Sequence, residues 1–136
     1  MAVIRDPTTP DARQYMDAYQ RAASALGMTL QYEFVTRPDE LAQALARIAS
    51  SRPDALILAG NPTLRQRMAE IGAFVAQRRL FTVSVSPDFV VAHAAVLCYS
   101  ADFAALTERT ASFIDRILRG AKPADLPVEL PTKYEL

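Results

Sequence analysis

Ala55-Leu56-Ile57-Leu58-Ala59-Gly60-Asn61-Pro62 is the stretch on which the reading of this chain turns. Its first half is apolar, too short for a helix and without polar alternation, which suits a strand buried on both faces. Its second half is loop chemistry that leads into a helical pattern beginning near Leu64. In an open parallel sheet, the loop leaving the carboxyl end of a central strand is where ligands bind.

Outward from this strand, the pattern alternates. Ala2-Val3-Ile4 reads as a first strand, ended by Asp6-Pro7-Thr8-Thr9-Pro10. From Asp11 the period becomes helical, with Tyr15, Ala18, Tyr19, Ala22 and Leu26 on one face and Gly27 as its cap. Thr29 to Val35 is a second strand, and Thr36-Arg37-Pro38-Asp39-Glu40 opens a second helix with acids in its first turn. A third helix spans about Thr63 to Arg78, with Leu64, Met68, Ile71 and Val75 as its stripe and Arg65 on its far face. Phe81–Val85 is strand four. Ser86-Pro87-Asp88 starts a short helix, Val96–Tyr99 is strand five, and Asp102 precedes a long helix closed by Gly120. This alternation predicts an α/β doubly wound three-layer sandwich with a five-stranded parallel sheet in the order 2-1-3-4-5. Residues 1–120 read as one Rossmann-like lobe. Residues 121–136, with prolines at 123, 127 and 131, read as an extended tail whose last residues, Thr132–Leu136, add an edge strand.

Composition narrows the function classes. The 136 residues carry 15 Lys+Arg and 15 Asp+Glu, so no electrostatic footprint for nucleic acid or an anionic membrane exists. Residues 1–25 contain no signal-peptide pattern, and no apolar run approaches a membrane span. That suits either a cytoplasmic protein or a piece of a longer chain. Cys98, the only cysteine, excludes an internal disulfide and reads as a buried core thiol. His93, the only histidine, has no nucleophile, carboxylate pattern or metal partner at ligand spacing. No cofactor fingerprint is present: Gly60-Asn61-Pro62-Thr63 has one glycine and cannot be a phosphate cradle. The third strand ends in Ala59-Gly60 without an aspartate to phosphorylate, which removes a receiver domain.

What remains is a set of short polar residues expected at the carboxyl edge of the sheet. Asp6 and Thr8 follow strand one, Asn61 and Thr63 strand three, Ser86 and Asp88 strand four, and Ser100 and Asp102 strand five; Tyr99 ends that last strand. The set is rich in acceptors and lacks a nucleophile–base pair, which favours binding over turnover.

The tail carries a resemblance. Phe113-Ile114-Asp115-Arg116-Ile117-Leu118-Arg119-Gly120-Ala121-Lys122-Pro123-Ala124-Asp125-Leu126-Pro127-Val128-Glu129, with Pro131-Thr132-Lys133-Tyr134-Glu135-Leu136, resembles the end of the second lobe in ABC-transporter substrate-binding proteins of the tryptophan/tyrosine-uptake type. The Ala-Val-Ile start, Asp54-Ala55-Leu56-Ile57-Leu58 and Asp88-Phe89-Val90 agree with it. The resemblance implies the C-terminal lobe of a type I periplasmic-binding-protein-like receptor, at a periplasmic or cell-surface address. It implies a small-molecule ligand such as an amino acid or small carboxylate, held in an interlobe cleft, and a permease as partner of the full-length protein. Where relatives commonly have Gly-Gly and Ser-Tyr-Gly, this chain has His93-Ala94 and Cys98-Tyr99-Ser100. A ligand-sensing domain of a regulatory protein, with the lobe dimerising across its cleft face, is the alternative; a small α/β enzyme is disfavoured.

Overall fold

A computed structural model describes residues 1–136. Five strands form one parallel sheet: β1 (Ala2–Arg5), β2 (Gln31–Phe34), β3 (Ala55–Leu58), β4 (Phe81–Ser84) and β5 (Leu97–Cys98). Their order is β2-β1-β3-β4-β5, the doubly wound order expected from the alternation. Between them run α1 (Ala12–Ala25), α2 (Leu41–Ser51), α3 (Pro62–Arg65), α4 (Met68–Arg78) and α5 (Asp88–Val91). The chain continues through β6 (Ser100–Ala101), α6 (Phe103–Leu118) and β7 (Tyr134–Glu135). It divides into two compact units, Met1–Cys98 and Tyr99–Leu136. Composition drew the line at Gly120, whereas α6 groups with the proline-rich segment.

Register fixes which side chains share a face. Ala2 pairs with Leu56, and Leu56 with Thr82; Ile4 pairs with Leu58, and Leu58 with Ser84. Ala2, Ile4, Leu56 and Leu58 join Leu41, Ala44 and Ile48 of α2, Leu64 of α3, and Ile71 and Val75 of α4 in the main core. The other face carries Val3, Arg5, Ile57, Val83 and Leu97. There α1 packs at the β1–β2 end, where the Tyr32 hydroxyl donates to the Met16 carbonyl at 3.1 Å. Toward β3 and β4 the same face is only half covered. Burial along β3 therefore alternates, with Leu56 and Leu58 buried and Ala55 and Ile57 partly exposed, where the apolar run predicts burial on both faces.

Four other expectations are corrected. The inner face of α1 is Ala12, Met16, Tyr19 and Ala23, so Tyr15, Ala18, Ala22 and Leu26 face outward. Two adjacent stripes of α1 are apolar, and contact with the sheet selects the one that ends in small alanines. The third helix is two helices. Arg67 leaves helical geometry at φ −121°, ψ 21°, after its N–H and that of Gln66 bond to Leu64 and Pro62 carbonyls. The fifth strand is only Leu97–Cys98, and Cys98 is half-buried at the sheet edge rather than in the core. The C-terminal residues do add a strand, but β7 pairs antiparallel with β6 in a separate two-stranded sheet.

Candidate functional site

Because β1, β3 and β4 are parallel neighbours, the loops leaving Arg5, Leu58 and Ser84 share one edge of the sheet. The β3 loop is shaped by Gly60: a Cβ there would lie 3.2 Å from Ser86 Cβ, so the β3 and β4 loops meet more closely than a side chain would allow without a shift of a few tenths of an ångström. Asn61 follows in extended geometry and caps α3, its Oδ1 accepting the Leu64 N–H at 2.7 Å. Pro62 at the next position presets the helix and needs no donor. Asn61 is 5% exposed, and its Nδ2 donor has no partner. A buried, unpaired amide donor costs free energy unless something accepts from it.

The β4 loop supplies the adjoining residues. Ser84 Oγ donates to the Leu58 carbonyl at 3.3 Å and accepts the Ser86 N–H at 3.0 Å, which locks the turn. Ser86 is 5% exposed, and its Oγ accepts from Arg65 Nη2 at 2.9 Å. Arg65 Nη1 lies 2.9 Å from Asp88 Oδ2, both side chains being about half exposed. One guanidinium thus spans a buried hydroxyl and an accessible carboxylate, leaving a donor and an acceptor of opposite charge side by side.

Of the nine sequence-predicted residues, Asn61, Ser86 and Asp88 converge here. Thr63 is committed elsewhere, its hydroxyl donating to the Thr36 carbonyl at 3.2 Å, which ties α3 to the loop after β2. Asp6 and Thr8 occupy the same edge but bind each other: Asp6 Oδ1 accepts from the Thr8 N–H at 2.8 Å and the Thr8 hydroxyl at 2.6 Å. Tyr99 and Ser100 belong to the second unit, where the Tyr99 ring stacks on Tyr134 at 5.7 Å and Ser100 is buried in β6. Asp102 caps α6, accepting the Ala105 N–H at 2.8 Å.

Two arginines escape the sequence reading. Arg65 looks like a solvated outer-face residue, but its position one turn after Asn61 returns it to the loop; that spacing is the available signal. Arg5 ends β1 in an apolar run and is 8% exposed. Its Nη2 lies 3.2 Å from Asp11 Oδ1 and 3.4 Å from Thr9 Oγ1, its guanidinium stands 4.9 Å from the centre of the Tyr15 ring, and its Nε has no partner. Nearby, burial pushes the Tyr19 hydroxyl above its ordinary pKa, against the opposing pull of Arg5. No group of three or more His, Cys, Asp or Glu is placed to hold a metal ion.

Comparison with known proteins finds no matching family model and no matching curated protein. Solved structures do match. A conserved domain protein from Vibrio cholerae O1 biovar El Tor superposes with a TM-score of 0.85 at 18% identity, over 98% of this chain and 45% of that one. The ligand-free, open form of a substrate-binding protein with adhesive properties from Clostridium difficile gives 0.72 at 17% identity, over 98% and 45%. An ABC domain from Streptococcus pneumonia in complex with L-Trp gives 0.79 at 19% identity, over 97% and 44%. The chain spans less than half the length of the solved proteins that it matches. It has the fold of one lobe of the periplasmic-binding-protein-like substrate-binding proteins.

Proposed function

We propose that this chain is the ligand-binding C-terminal lobe of a solute-binding protein serving an ABC importer, outside the cytoplasmic membrane. Its carboxyl edge would supply one wall of a cleft that captures a small molecule such as an amino acid or small carboxylate. The observation that carries this reading is the Asn61–Arg65–Ser86–Asp88 group, an unpaired buried amide donor next to a guanidinium held by a hydroxyl and a carboxylate. Such a group can receive a ligand carboxylate on Asn61 and Arg65 and an ammonium on Asp88. Asp6, Thr8 and Thr63 would border it on the same edge, and Tyr99 and Ser100, from their place after strand five in the sequence, are kept as proposed ligand contacts. The L-Trp bound to the Streptococcus pneumonia protein supports an amino acid as the first ligand to try. Because a single lobe offers one wall, binding by this chain is expected to be weak, and a permease would be engaged only by the full-length protein.

The test is a thermal-shift screen of amino acids and small carboxylates, on the chain and on any longer protein that contains it. Asn61→Ala, Arg65→Ala and Ser86→Ala follow. A ligand that stabilises the protein and loses affinity in these variants is expected. Stabilisation that none of the three weakens moves the site elsewhere, and the absence of any stabilising ligand defeats the reading.

A further inference from the structure

At the amino end of the sheet, away from the polar loops, the unit Met1–Cys98 holds a cavity of about 400 Å³. It opens where α2 and α4 end, just before β3 and β4 begin. Ile48, Pro53, Phe74 and Leu80 form its apolar wall. Ile48 belongs to the main core, and Phe74 and Leu80 pack against that core while remaining only half-buried where they face the cavity. The volume is that of a small-molecule pocket.

Arg52 and Arg78 line the same cavity, and no ion pair of the chain uses either of them. The Arg78 guanidinium lies over the Phe74 ring, 5.0 Å from its centre, which holds one charge against the apolar wall. Both helices also end on an arginine in left-handed geometry, Arg52 at φ +47° and Arg79 at φ +50°. Glycine sits at such a position without strain, and a residue with a β-carbon does not. The chain thus places guanidiniums where the backbone alone favours glycine. Each helix end carries about half a negative charge, so the two ends and Asp54 offset about two of these three guanidiniums. About one positive charge is left beside the apolar wall.

We propose that this cavity binds a small monoanion with a planar apolar body, of the aromatic monocarboxylate class. The body lies against Phe74 and Leu80, and the carboxylate accepts from Arg52 and Arg78. A planar ring suits the wall because it can stack on Phe74 or against the guanidinium already there. An inorganic anion would leave the apolar wall in contact with water, and a neutral ring would leave the guanidiniums without an acceptor. The site stands at the opposite end of the sheet from Asn61, Arg65 and Ser86, and it does not depend on what binds at that edge.

Cinnamate is the probe. It is titrated into the full chain by calorimetry and by amide NMR, with cinnamamide as the uncharged control and acetate as the control without a ring. Saturable binding at one site is expected, with the largest shifts at Arg52, Phe74 and Leu80 and an affinity at least about tenfold lower for either control. Arg52→Gly relieves the left-handed residue, so it should melt close to or above the wild type and yet bind cinnamate at least about tenfold more weakly. Arg78→Gln should lose as much, and Arg65→Ala should not weaken binding. No saturable binding at about millimolar cinnamate overturns the proposal. So does affinity kept in both Arg52→Gly and Arg78→Gln, or equal affinity for cinnamamide, the result of an apolar crevice alone. Binding lost in Arg65→Ala and kept in Arg52→Gly assigns cinnamate to the carboxyl edge and overturns it too. Cooperative melting establishes that each variant is folded, and Arg52→Gln replaces Arg52→Gly if it is not.

Discussion

Arg65 and Ser86 are joined at 2.9 Å across the ends of two strands, the guanidinium of one loop donating to the buried hydroxyl of the next. The contact ties the β3 and β4 loops together while the rest of the arginine stays half exposed. Its contribution to stability is therefore modest, and its contribution to the proposed ligand site should be larger. Arg65→Ala is expected to cost at most about 1 kcal/mol in chemical denaturation, since solvent screens both Arg65 and Asp88. Loss of ligand affinity should be about tenfold or more by titration calorimetry, because a charged donor is removed. Arg65→Lys should recover little of it, because an ammonium cannot span two acceptors in one plane.

Asn61 separates capping from binding. Asn61→Asp keeps the acceptor for the Leu64 N–H and removes the unpaired Nδ2 donor. Thermal stability should hold or rise, while Asn61→Ala should cost about 1 kcal/mol through the lost cap. If Asn61→Asp binds an anionic ligand as well as wild type does, Nδ2 is not a ligand donor.

Gly60 and Ser86 form a second pair across the same loops. Gly60→Ala places a methyl 3.2 Å from Ser86 Cβ, so the loops must part by a few tenths of an ångström. A loss of about 1 kcal/mol is expected, in line with mild overpacking. In the Ser86→Gly background the same change should cost measurably less, and equal costs in the two backgrounds would show that the pair does not couple.

His93 stands at φ +56°, in the left-handed region. The glycine pair usual in the resembled family would sit there without strain. His93→Gly is expected to be neutral or stabilising by up to about 1 kcal/mol at this position, the backbone relief offsetting the freedom glycine adds to the unfolded chain. Gly72→Ala should destabilise, because its Cβ would press on the Ala92 and His93 carbonyls at 3.3 and 3.4 Å. Denaturant midpoints of the two variants should move in opposite directions or differ by the full cost of Gly72→Ala.

Acid should loosen the second unit. The hydrogen bonds from Arg109 hold the Glu129 carboxyl below its ordinary pKa. A lowered carboxylate pKa gives stability that is present above the ordinary glutamate value and is lost as pH falls through the depressed folded value. The Glu129 carboxyl, followed by NMR, should titrate below the ordinary glutamate range, and Arg109→Ala should return it toward that range. A titration unchanged by that substitution would remove the ion pair from the account.

The sequence by itself determined the strand and helix alternation, the order β2-β1-β3-β4-β5 and the edge to which the polar loops converge. Each rests on local chemistry: apolar runs, prolines and caps act within a few residues, and right-handed crossovers leave few topologies. Asn61 and Ser86 were legible because residues after parallel strands emerge on one side. Tertiary structure alone decided that Arg65 turns back to Ser86, that Thr63 is spent on Thr36, that Asp6 and Thr8 satisfy each other, and that the inner stripe of α1 is Ala12–Ala23. Those choices depend on which neighbour a side chain meets across the fold, and helical period cannot rank two apolar stripes on one helix. The same holds for α6. Its amphipathic pattern announced an inner face, and only the folded chain shows Leu106 and Phe113 lining the groove beside Pro127–Lys133.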